Sequence, residues 1–211
     1  YSSGEALRCL ARGIPFPWTP WGKLFAMEPV KKCPFDEHIY YSEDILFLYE
    51  VFRQAHRVSY FPARLYHYAT RRDSQVHGGI NERKCSALWV NDMICAKVCA
   101  CFPEAAEDFR QMALEVNRSL AMQAVKGGGS RGEVFGYLKR IQKNTRYHFS
   151  FRALALGGSK KHRAAILLLY LNAAAFWAAA FCITARTAGG GRKKPDGEAK
   201  KDGERWNKKG R

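Results

Sequence analysis

Glu43 and Asp44 are adjacent carboxylates that follow Ser42, a residue type that caps helix N-termini. Behind them Ile45, Leu46, Leu48, Tyr49 and Phe52 recur at spacings of three and four, which predicts an amphipathic helix ending near Ala55. The acidic pair then lies in the first helical turn, where unpaired N–H groups and the helix dipole stabilise negative charge. A carboxylate held there is able to take a proton from a hydroxyl group, although acidic residues in a first turn often do no more than complement the dipole. Cys95, Cys99 and Cys101 are the other cluster with chemical potential, since Cys95 and Cys99 share a helix face. No CxxC pair or His-x-x-x-His accompanies them, and they read as small buried hydrophobes. His38, His56, His67 and His77 read individually as surface or core histidines.

The elements that must position the acidic pair are short and turn-punctuated. Ala6, Leu7, Leu10 and Ala11 predict the end of a helix that Gly13, Pro15 and Pro17 close. Pro20, Gly22, Pro29 and Pro34 exclude a long helix before position 35. Residues 57–61 and 64–70 are β-branched and aromatic, with Pro62 and Ala63 between them, and predict two short strands. Beyond Gly78 and Gly79 the pattern becomes helical over 81–101, 104–126 and 131–143, broken at Pro103 and Gly127–Gly129. The expected fold class is therefore α/β for the first eighty residues, a few short strands with a helix against them, followed by a mainly α-helical extension.

Five linked stretches carry a family resemblance. They are Trp21-Gly22-Lys23-Leu24-Phe25; Phe35; Tyr41-Ser42-Glu43-Asp44 with Phe47; Ala55-His56-Arg57-Val58; and Leu65-Tyr66-His67-Tyr68 leading to Arg71-Arg72-Asp73-Ser74. In order and spacing, over residues 18–77, they resemble the family-2 glycosyltransferases of capsule and exopolysaccharide synthesis. The resemblance implies the acceptor-side portion of an inverting, GT-A-type enzyme that moves a sugar from a nucleotide-sugar to a glycan or lipid-linked acceptor. By position in the motif Asp44 is the general base, and Glu43 orients the site or bonds the acceptor. Trp21 offers a flat face for an acceptor sugar, Gly22 a close backbone approach, Lys23 a partner for phosphate or carboxylate, and Arg71 a fork for the donor's diphosphate. In the complete enzyme Mg²⁺ or Mn²⁺ is expected on that diphosphate. No pair of close aspartates precedes residue 43, so the metal ligands are expected outside this chain, and the chain alone is expected to turn over little or not at all.

Composition frames these expectations. With 211 residues, 47% hydrophobic and 26% charged, the chain has the makeup of a globular protein. The seven cysteines lack the paired spacing of a secreted disulfide scaffold, which points to a reducing, cytoplasmic setting. A net charge of +16 suits any polyanion, but much of the excess follows residue 159 and flanks an uncharged stretch, 164–183, of bilayer-spanning length. Alanines and Asn172 make insertion of that stretch marginal, so it reads as a helix lying on the cytoplasmic face of the cell membrane, a helix crossing it, or a helix buried in a soluble fold. The expected organisation is 1–79 as transferase portion, 80–159 as helical extension, 160–186 as the basic-flanked apolar helix, and 187–211 as a disordered basic tail. Two alternatives have different consequences: a non-catalytic membrane scaffold, or a basic nucleic-acid-binding module. Nucleic acid is disfavoured because the basic residues do not interleave with the aromatic region.

Overall fold

The computed structural model describes residues 1–63, 65–67, 69, 79–127 and 129–189. Among them helix predominates at 67% and no strand occurs. The described residues form nine α-helices: α1 Ser3–Arg12, α2 Met27–Lys31, α3 Glu43–Gln54, α4 Ser86–Cys101, α5 Ala106–Lys126, α6 Arg131–His148, α7 Phe151–Leu156, α8 Lys160–Leu171 and α9 Ala173–Gly189. A 3-10 turn, Pro103–Ala105, leads from α4 into α5.

The helices start and stop where local chemistry allows. Ser2 and Glu5 form a reciprocal capping box at the start of α1, and Ser130 and Glu133 form another at the start of α6. Gly13 ends α1 in the left-handed conformation at φ 69°, where its N–H reaches the carbonyls of Cys9 and Leu10. Central α5 packs against α1, α4, α6, α7, α8 and α9. Its Phe109, Met112 and Ala113 join Leu7, Leu10, Leu48, Tyr49, Ile94 and Val98 in one apolar core, so that core crosses position 79. Val116, Leu120 and Ala124 face the other way, against Val134, Leu138 and Ile141 of α6 and Leu169 and Phe176 of α8 and α9.

Polar ties fix the helices' relative positions. Asp108, with a side chain 2% exposed, receives the Nε of Arg8 at 3.0 Å and of Arg12 at 2.6 Å, joining α1 to α5. Asn117 donates to Asn144 Oδ1 (2.9 Å), Asn144 donates to Asp92 Oδ1 (2.7 Å), and His148 Nε2 meets the same oxygen at 2.7 Å. That chain of side chains crosses α5, α6 and α4. Burial holds the His148 imidazole below its usual pKa despite the carboxylate beside it.

The absence of strands corrects the α/β expectation. The described residues of 57–61 and 64–70 are irregular and mostly exposed. Val58 exchanges two backbone hydrogen bonds with Tyr1, at 2.9 and 2.8 Å, and among the described residues no strand continues these into a ladder. β-propensity measures the fit of a side chain onto a pleated, half-buried surface, and here there is no such surface to fit.

The apolar stretch 164–183 is also divided. Asn172, with extended backbone (φ −153°, ψ 114°), separates α8 from α9 and caps the latter, accepting from the N–H of Ala174 and Ala175 through its side chain. The two pieces pack on each other. Among the described residues no helix is long and apolar enough to cross a membrane.

Candidate active site

The acidic pair sits where the helical periodicity places it, in the first turn of α3. Ser42 occupies the N-cap, but with φ 71° and no side-chain cap bond, a left-handed conformation uncommon for a residue with a Cβ. Two anchors hold this entry. The Ser86 hydroxyl, at the start of α4, donates to the Tyr41 carbonyl (3.0 Å) and accepts from the Tyr41 N–H (3.1 Å). The Arg83 guanidinium lies over the Tyr40 ring, 4.7 Å from its centroid. With Tyr40 and Tyr41 so pinned, the backbone reaches Glu43 by a fixed route.

The Trp21–Phe25 stretch comes to the same place through aromatic packing. Phe25 meets Phe47 edge-on at 5.5 Å, and Phe35 stacks on Phe47 at 4.5 Å. Phe47 is one helical turn beyond Asp44, so these rings bring the loop against the acidic turn. Lys23 Nζ donates to the carbonyls of Pro17 and Thr19 and closes the loop on itself. Gly22 adopts φ 71°, which a side chain would strain.

Around these elements lies a cleft of about 930 Å³. Trp18, Trp21, Tyr40 and Tyr41 give it aromatic walls, Glu43 and Asp44 occupy one side, and Asp108, Gln111, Glu115, Arg118 and Ser119 of α5 with His162 of α8 form the opposite side. Trp21 is 43% exposed, leaving ring surface open to a ligand.

Partners separate the cleft's four carboxylates into two classes. Asp108 is neutralised by Arg8 and Arg12, while Glu115 is held by Arg118 Nε at 2.8 Å and faces His162 Nδ1 at 3.5 Å. Glu43 and Asp44 make no side-chain hydrogen bond or ion pair with any other described residue. The Asp44 carboxyl is pushed up to about 6, chiefly because burial disfavours its charge, with Glu43 adding repulsion and Lys23 opposing both. Lys23 is itself shifted down by burial, with the charge of Asp44 opposing the shift.

The structure thus brings Glu43, Asp44 and Trp21 into one cleft. Lys23 stands behind Asp44 as an electrostatic neighbour outside the lining, and Gly22 lies beside Tyr66, whose Cβ would be 3.6 Å from a Cβ placed on it. Arg71 lies outside the described residues. Helical spacing over 104–126 predicts α5 but does not by itself announce this wall. Its signal was present: Asp108, Gln111, Glu115, Arg118 and Ser119 form a polar stripe at helical spacing on a helix surrounded by others.

A divalent ion does not fit the described residues. No group of three or more His, Cys, Asp or Glu gathers among them, and half the cleft's carboxylates are engaged by guanidinium groups. Cys95 is buried, with its thiol pushed up to about 12 by desolvation, whereas Cys99 and Cys101 are exposed. No family model matches the chain, and no curated protein or solved structure shows significant similarity to it.

Proposed function

We propose that the cleft is the acceptor site of an inverting glycosyltransferase and that Asp44 is its general base. The observation that carries this reading is a half-buried carboxylate with no hydrogen-bond or ion-pair partner among the described residues and a pKa near 6, set among aromatic rings in a cleft of sugar-binding size. A base with that pKa is ionised at neutral pH yet holds a proton well enough to draw one from a hydroxyl group. The acceptor's O–H proton passes to the Asp44 carboxylate while its oxygen bonds to the anomeric carbon of the nucleotide-sugar. The bond from that carbon to the nucleoside diphosphate breaks on the opposite face, which inverts the centre. Glu43 accepts a second acceptor hydroxyl, and Trp21 stacks on the sugar ring.

The cleft's basic side chains are already engaged, Arg12 by Asp108, Arg118 by Glu115 and, behind the lining, Lys23 by two carbonyls. Diphosphate recognition is therefore assigned to groups other than these, and no step is routed through a metal held by this chain. The acceptor is a glycan or a lipid-linked sugar at the cytoplasmic membrane face.

The test is nucleotide-sugar turnover by the full reading frame that encodes this chain, with UDP-, GDP- and TDP-sugars, beside its Asp44→Asn variant. The variant is expected to lose about a hundredfold or more in kcat. For the native enzyme, log kcat should rise with pH to a plateau above about 6, as Asp44 ionises. Full activity in the variant would remove Asp44 from the chemistry and favour the non-catalytic scaffold.

A further inference from the structure

The α8–α9 pair buries one face and leaves the other apolar. Ile166, Leu169, Ala173, Phe176 and Ala180 are buried in the core, while Leu167, Leu171 and Phe181 point outward, the last two 59% and 51% exposed. Exposed Ala164 precedes Leu167 and Leu171 at spacings of three and four, so α8 carries a continuous apolar stripe on its outer side. Beside its C-terminal end Phe149 stacks on Tyr170 at 4.1 Å and meets Phe151 edge-on at 5.3 Å, with Phe151 79% exposed. Arg146 donates to the carbonyls of Tyr170 and Leu171, which places a guanidinium at the rim of this aromatic corner. On α9, Trp177 stacks on Phe181 at 5.3 Å beneath the Arg131 guanidinium, which lies 5.0 Å from the Trp177 ring.

Charge identifies the occupant. From residue 134 to 189 the chain contains no Asp or Glu but has Lys139, Arg140, Lys143, Arg146, Arg152, Lys160, Lys161, Arg163 and Arg186. Carboxylates on neighbouring elements offset little of this charge among the described residues: Glu82 engages Arg140, while Asp92 and Glu115 meet the histidines His148 and His162. An exposed apolar face with aromatic edges and a basic rim matches an anionic lipid surface, where rings settle at headgroup depth and Lys or Arg pair with phosphates.

We propose that the outer face of α8 and α9, with the Phe149–Phe151 corner, rests on an anionic bilayer in the interface plane. The stretch 164–183 lies on the membrane as a bent pair of helices. The first turn of α8 also lends His162 to the cleft, so the bilayer brings a lipid-borne molecule to the cleft's edge. The proposal stands on this surface and not on the transferase chemistry.

The test is flotation of the 211-residue chain with vesicles of phosphatidylcholine alone and of phosphatidylcholine mixed with phosphatidylglycerol, repeated with Leu171→Ser/Phe181→Ser and with Lys160→Glu/Lys161→Glu. Each pair alters exposed positions, and thermal melts by circular dichroism check that each variant folds as the native chain does. The native chain is expected to float with the anionic vesicles, and each pair is expected to weaken binding about tenfold or more. Binding that the serine pair leaves intact would reduce the contact to charge adsorption and overturn the inserted face. A chain that ignores vesicles but forms a dimer dissolved by the serine pair, or that binds RNA alone, would overturn the lipid assignment.

Discussion

At the scale of single residues, Asp44 is defined by what it lacks. Every other carboxylate in the cleft except its neighbour Glu43 is matched by a guanidinium group, and an unmatched carboxylate costs stability when ionised. Because burial raises its pKa to about 6, Asp44 favours the fold while protonated, below about pH 4, and that contribution disappears as pH rises through 6. Asp44→Asn removes the charge and keeps the shape, so at pH 7 it is expected to stabilise the chain by about 1 kcal/mol after allowing for solvent screening, raising Tm by about 2–4 °C. The gain should vanish in melts at pH 4. A stabilised variant with lost turnover marks a residue kept for chemistry rather than for folding. The candidacy of Glu43 and Asp44 was legible in the sequence, because helical spacing and a capping residue type place them. Their lack of partners was not, since it depends on Arg8, Arg12 and Arg118 choosing Asp108 and Glu115 instead.

At the scale of elements, the entry to α3 is the most constrained piece of backbone in the site. Ser42 holds φ 71° because Tyr41, gripped by Ser86, and Glu43, committed to the helix, leave the chain little other route. Left-handed backbone costs a residue with a Cβ about 1–2 kcal/mol, which glycine avoids. Ser42→Gly is therefore expected to stabilise by about 0.5–1 kcal/mol in urea unfolding, and Ser42→Val to destabilise by more than that; equal midpoints for the two would remove the strain argument. Sequence spacing located α1, α4, α5 and the start of α6, since each has an apolar face and a recognisable stop. The strands expected at 57–61 and 64–70 do not form among the described residues for a physical reason: β-branched and aromatic residues favour a pleated surface only when another strand supplies it. Hydropathy predicts one helix over 164–183 because it does not register that Asn172 can cap a second one.

At the scale of the whole molecule, α5 is the element on which both cores and the far wall of the cleft depend. Asp108 is its tie to α1, and with two guanidinium groups converging on a buried carboxylate, Asp108→Asn is expected to destabilise by about 1–3 kcal/mol in urea unfolding and to loosen the cleft's α5 side. An unchanged midpoint would show that Arg8 and Arg12 contribute nothing there. The helical spacing beyond position 81, the acidic turn of α3, the basic excess and the uncharged stretch are properties of local order and composition, and these the sequence decides without reference to the fold. Which polar residues meet across the chain is different in kind. Asp108 finds Arg12 across 96 positions, Tyr41 finds Ser86 across 45, and the α5 stripe finds the α3 turn, only when the apolar faces have packed. Burial then sets the charge state of Asp44 and leaves the outer face of α8 and α9 uncovered, and neither follows from residue order, because desolvation and exposure belong to the assembled surface.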